Sequence, residues 1–130
     1  MSQLYFLDTN VIVRLLLEDN KEQLKVVKKY FEEARKGKLQ IRLPLFIIIE
    51  TAHILHSFYS IPKNEICDQL IKVILITYLG VDQREIVIKA LRLYKVSNID
   101  LVDCMLFAIA EGQNAEVLSF DKDFKKLAKT

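Results

Sequence analysis

Cysteine is nearly absent from this chain: only Cys67 and Cys104 occur among 130 residues, far apart and without Cys-x-x-Cys spacing. A disulfide-built scaffold or a thiolate zinc site is therefore disfavoured, and two reduced thiols are the simplest reading. No apolar run reaches the ~18 residues that a bilayer-spanning helix needs. Stretches such as Val73 to Val81 are core-sized instead. The opening MSQLYFLD has no basic region and soon meets Asp8, unlike a secretory leader. A cytoplasmic chain with no membrane attachment is expected. Charge of one sign is lacking too, since a formal net charge of +2 does not by itself announce a nucleic-acid binder.

What is present is core material. Hydrophobic residues make up 52% of the chain, which excludes disorder and suits one domain over residues 1–130. No repeat, linker or low-complexity segment interrupts it. Basic residues do cluster: residues 21–38 hold seven Lys/Arg against three Glu, and Lys122, Lys125, Lys126 and Lys129 crowd the end. Such clusters are ordinarily solvated helix faces.

Leu4 to Leu7 reads as a strand, followed by the cap-type residues Asp8-Thr9-Asn10 and a helix through Leu17. A second helix starts near Asn20, where Asp19 and Glu22 have capping-box spacing, and stops before Gly37. Leu39, Ile41 and Leu43 alternate with polar residues as in a strand. Pro44 opens a helix toward Tyr59, and another covers roughly 63–74. Ile76 to Leu79 predicts a strand closed by Gly80. Capping-box spacing recurs at Asp82/Glu85 and at Ser97/Asp100, ahead of helices ending near Tyr94 and at Gly112. Val117 to Ser119 predicts a last strand and Asp121 to Lys129 a last helix. The alternation implies an α/β fold: a short, mostly parallel sheet of four or five strands flanked by helices. Sites in such folds lie beyond the carboxyl ends of the strands, where Asp8, Asp121 and the helix carrying Glu50 are expected.

Acids among apolar neighbours need a reason. Glu50 follows Phe46-Ile47-Ile48-Ile49, and Asp103 sits within Leu101-Val102-Asp103-Cys104-Met105-Leu106. Asp8 and Asp121, taken singly, are as well explained as helix caps. Asp100 is accounted for as the partner of Ser97 in a capping box, and Asp123 as a first-turn acid favoured by the helix dipole. Four gathered carboxylates would repel one another without cations. Mg²⁺ suits them, being hard, octahedral and oxygen-seeking, and two such ions support phosphodiester hydrolysis. No Ser or Cys is set with a His base to offer another nucleophile.

Together, Leu7-Asp8-Thr9-Asn10, Glu50 in the helix after Pro44, Asp100-Leu101-Val102-Asp103 and Ser119-Phe120-Asp121-Lys122-Asp123-Phe124 resemble a PIN domain. The nearest type is the VapC toxin of toxin–antitoxin pairs. The resemblance implies a Mg²⁺- or Mn²⁺-dependent endoribonuclease acting on RNA, a homodimer, and inhibition by a VapB-type antitoxin. It assigns Asp8, Glu50, Asp103 and Asp121 as the metal-binding, catalytic acids. Asn10 matches a polar residue supporting the first acid, Ser119 stands where the family often has Thr, and Asp123 matches a frequent second acid of the last motif.

Rival patterns are weaker. Glu50 and His53 have the Glu-x-x-His spacing of di-iron bundles, but the second copy such a site requires is missing; His53 and His56 read as polar helix residues. A haloacid-dehalogenase phosphatase would carry Asp-x-Asp after the first strand, and a receiver domain a Lys directly after a late strand; neither is present. A PIN-like RNA- or protein-binding module of weak catalytic power is the non-enzymatic alternative. Arg14, Lys122 and Lys125 could meet phosphates or be plain surface charge. The apolar helix from Ile66 to Leu75 fits either a dimer interface or internal core.

Overall fold

The computed structural model describes residues 3–130. Strand β1 (Gln3–Phe6) leads into helix α1 (Thr9–Leu17), then α2 (Lys21–Arg35), β2 (Leu39–Arg42) and α3 (Leu45–Ser57). Helix α4 (Lys63–Ile74), strand β3 (Leu79–Gly80) and helices α5 (Arg84–Val96), α6 (Leu101–Gly112) and α7 (Asp123–Ala128) complete the order. The architecture is the expected α/β one, with a small parallel sheet flanked by helices. Strand order is β1-β2-β3, with Phe6 opposite Arg42 and Arg42 opposite Gly80.

Three strands are present among the described residues, fewer than the four or five expected. Val117 to Ser119 forms no strand. Leu118 and Phe120 lie fully in solvent, so the segment gains none of the side-chain packing on which β-structure depends. Likewise the strand expected at Ile76 begins only at Leu79. Residues 76–78 turn instead, with Leu79 N–H donating to the Ile76 carbonyl at 3.1 Å. Arg84 fixes this corner. Its guanidinium donates to the carbonyls of Ile74 at 2.7 Å and Ile76 at 3.2 Å, and to that of Leu79.

Helix ends follow local competition more than motif spacing. Asn20, not Asp19, caps α2 by accepting from Gln23 N–H at 3.0 Å; Asp19 is taken by Arg14 at 2.8 Å. Helix α5 starts after Gln83 in a left-handed conformation without a side-chain cap, while Asp82 faces Arg42 at 3.4 Å. Asp100 occupies the N-cap of α6 but its side chain makes no cap bond. Ser97 Oγ accepts from Ile99 N–H at 3.3 Å rather than closing a capping box. Gly37, at φ +78°, ends α2 as expected, because only glycine adopts that backbone without strain.

The core runs between sheet and helices, with Ile12, Ile48, Leu55, Ile66, Leu70 and Leu91 wholly enclosed. Helix α4 turns Ile66, Cys67, Leu70, Val73 and Ile74 into it. Its apolar face is therefore internal core, which resolves that alternative against a dimer interface. Both thiols are free and buried, and burial pushes the Cys67 thiol up to about 11, so it stays protonated and inert. No helix among the described residues is long and apolar enough to cross a membrane.

Truncating Ile48 to Ala is expected to cost about 2–5 kcal/mol through the cavity left behind. Arg84→Ala is expected to cost about 1–3 kcal/mol, because it takes the guanidinium from the Ile74 and Leu79 carbonyls and leaves Ile76 with the Leu79 N–H alone. Urea unfolding checks both. A midpoint for Arg84→Ala indistinguishable from the parent would show that the corner holds without the guanidinium.

Candidate active site

The parallel sheet sends Asp8, Pro44 and Val81 off one edge, one residue or two beyond each strand. Asp8 caps α1, its carboxylate accepting from Thr9 N–H at 2.7 Å. Thr9 is 4% exposed, yet its hydroxyl has no hydrogen-bond partner. Asn10 is exposed in the first turn of the same helix. Helix α1 packs on α3, and α3 in turn on α6, so the elements bearing Asp8, Glu50 and Asp103 form a continuous layer.

Helix α3 starts at Leu45 because Pro44 lacks the N–H that a first turn cannot satisfy. It buries Ile47, Ile48, Thr51, Ala52 and Leu55, leaving Phe46, Glu50 and His53 on the open side. Glu50 is thus exposed, a correction to the expectation of an acid enclosed by apolar neighbours. Asp103, in the first turn of α6, is half-buried beside Leu101, Cys104 and Met105. Glu50, Asp100 and Asp103 line one cavity of about 630 Å³ between these helices, together with His53, His56 and Tyr94.

Asp103 also belongs to a tighter group. Carboxylate oxygens of Asp103, Asp121 and Asp123 lie within 4.8 Å of one another. Two local turns hold the second and third of these. Ser119 Oγ accepts from Asp121 N–H at 3.0 Å, and Asp121 Oδ1 accepts from Asp123 N–H at 2.9 Å. Asp121 therefore arrives through these turns and the packing of α7 on α6, not from the end of a strand as expected. Asp123 joins the cluster on equal terms, although its place in the sequence suggests only a supporting acid. Its signal was the Asp121-Lys122-Asp123 spacing. Asp8 and Glu50 stand outside the 4.8 Å group.

Acids crowd this corner. Burial pushes the Asp103 carboxyl above its usual range, and Asp121, Asp100 and Asp123 push it further. The opposing cation is Lys126, 3.6 Å from Asp123 and largely in solvent, where an ion pair contributes little. An all-oxygen set of three crowded carboxylates fits a hard divalent cation such as Mg²⁺ or Mn²⁺. Sequence reasoning missed the remainder of the cavity wall, Phe46 above all. The available signal was its i, i+4, i+7 spacing with Glu50 and His53, which places the three on one helix face.

A pH dependence follows. With its folded-state value above the ordinary 3.8, Asp103 holds its proton to higher pH in the folded chain than in the unfolded one. Stability then falls as pH rises through that window, and the deficit is complete at neutral pH. In EDTA at pH 7, Asp103→Asn should therefore melt above the parent, the gap narrowing as pH falls toward 4. Thermal melts across that range check it, and a variant less stable than the parent at pH 7 would contradict it.

Neither a curated protein nor a solved structure matches this chain. The PIN domain family does, over residues 5–130. That span includes the parallel sheet apart from Gln3 and Leu4, the cavity and every acid described above, and the chain belongs to the PIN domain family.

Proposed function

We propose that this chain is a Mg²⁺- or Mn²⁺-dependent endoribonuclease, the toxin of a type II toxin–antitoxin pair. PIN domains are generally nucleases, usually with a divalent metal ion, and the family match supports that much directly. The observation that carries the metal-dependent reading is the convergence of Asp103, Asp121 and Asp123 within 4.8 Å beside a cavity that also holds Glu50. The RNA substrate, the VapB-type antitoxin and the homodimer rest on the resemblance of the four acidic motifs to VapC toxins.

Asp103, Asp121 and Asp123 would hold the ion, with Asp8 and Glu50 as the further acids of the set. A bound divalent ion would supply Lewis-acid polarisation of the scissile phosphate and stabilise the charge that develops on it. Glu50, exposed on the cavity wall, would serve as a further ligand or orient the attacking water through its carboxylate. Water oxygen bonds to phosphorus as the bond to the 3′ oxygen breaks, and that oxygen leaves as a hydroxyl, with a 5′-phosphate on the other product. Ser119 has a positioning role, since its hydroxyl fixes the turn that presents Asp121.

Substrate contacts are narrower than the sequence suggested. Arg14 is paired with Asp19 at 2.8 Å and with the Tyr59 hydroxyl at 3.0 Å, partners it would have to exchange to meet a phosphate. Lys122 and Lys125 are exposed beside the acid cluster and remain as candidates. Replacing both with Ala should weaken RNA binding. It should also reduce the slope of log K against log[salt] by about 0.7 for each phosphate on a single strand that is no longer neutralised.

Asp8→Asn and Asp103→Asn should each lower RNA cleavage by at least about 100-fold, the scale on which a transition-state electrostatic partner is lost. EDTA should abolish parental cleavage and Mn²⁺ restore it. A folded Asp103→Asn protein cutting at the parental rate would overturn the assignment. RNA binding unaffected by EDTA, with no cleavage under any metal, would instead favour the weak binding module.

A further inference from the structure

Two large apolar side chains stand open on the wall of the cavity that holds Glu50 and Asp103. Phe46, from the first turn of α3, is 68% exposed, and Val102, from the first turn of α6, is 56% exposed. Both line the cavity with Ile49 and Leu101. Phe46 takes part in no aromatic pair and no cation–π contact among the described residues. Neither position is required for the core, since both helices bury their opposite faces. Leaving a phenyl ring in water has a cost that a polar residue there would avoid.

Placement narrows what the ring is for. Phe46 lies one helical turn before Glu50 on the same face of α3, and Val102 directly precedes Asp103. The open apolar groups are thus continuous with the acids proposed to act on a phosphodiester. A nucleotide is a ligand that carries a phosphate and a flat apolar face a short distance apart. Unpaired bases are held by stacking on aromatic rings, an interaction that tolerates any base because each has a π-face.

We infer that Phe46 is a substrate-binding residue: a stacking platform for an unpaired nucleobase next to the scissile phosphate, with Val102 as the apolar wall of the same slot. This rests on the nuclease reading above. It makes the preferred substrate single-stranded at the cut, because a base held in a duplex cannot present its face to the ring.

The test is a cycle between the ring and the base. Short unstructured RNAs are cleaved by the full chain with Mn²⁺, using a parent oligonucleotide and versions carrying one abasic nucleotide at each position flanking the cut. Phe46→Ala and Phe46→Leu should each lower kcat/KM on the parent RNA by roughly tenfold or more, the loss expected for one base–aromatic stack. Phe46→Tyr should keep most of the activity. At one flanking position, removal of the base should erase the difference between parent protein and Phe46→Ala, a readout that a merely structural role would not move. Equal kcat/KM for all four proteins would overturn the platform while leaving the nuclease reading intact. A loss that persists unchanged on every abasic RNA would overturn it as well. So would Phe46 variants that cleave normally but no longer bind a protein partner, because the ring would then serve that interface. Failure of the parent protein to cleave any of the RNAs would remove the nuclease reading, and the platform with it.

Discussion

Three carboxylates whose oxygens lie within 4.8 Å repel one another, and the carboxyl half of the fold is organised around holding them there. Asp103 is fixed by α6, whose apolar side is locked into the core by Leu101, Cys104, Met105 and Ala108. Asp121 and Asp123 are fixed by a hydroxyl-capped turn and a carboxylate-capped turn in succession. None of these devices neutralises the charge. Burial first, and the neighbouring acids after it, hold the Asp103 carboxyl above its usual range. A divalent cation bound there would offset the repulsion, and its affinity would then be linked to stability through the same groups.

The same constraint explains the division of labour along the chain. The sheet and α1 to α4 supply most of the enclosed core, and the sheet edge carries only Asp8 directly. Glu50 reaches the cavity from the open face of a helix whose other face is among the most deeply buried in the protein. Rigid burial on one side gives the acids on the other a fixed backbone. Only Asp121 of the clustered acids depends on a loop, and two turn hydrogen bonds brace it.

Much of this was legible in the sequence where the signal was periodic. Strands β1 and β2 and every helix were visible from apolar spacing, from Pro44 and from Gly37. The cap residues were not, because capping-box spacing says nothing of rivals for the same carboxylate: Arg14 takes Asp19, and Arg42 faces Asp82. Strand β3 starts three residues later than its composition suggests because Arg84, eight residues beyond Ile76, ties the preceding carbonyls into a corner. A strand at Val117 was expected from composition, but pairing is non-local and composition cannot supply it. At the site, Glu50 and Asp103 were singled out as acids in apolar surroundings. Asp103 fits that reasoning, whereas Glu50 proves to be on an open stripe. Asp123 was undervalued since a first-turn acid has a sufficient explanation in the helix dipole, and only tertiary packing shows its nearness to Asp103.

The central claim is that the acid cluster is a divalent cation site. It is tested most directly by titrating the metal-free full chain with Mn²⁺ and reading free ion by electron paramagnetic resonance, beside an Asp103→Asn/Asp121→Asn double variant. Saturable binding to the parent that disappears in the folded double variant is the predicted result. Equal binding to both proteins, or no saturable binding to the parent, would contradict it.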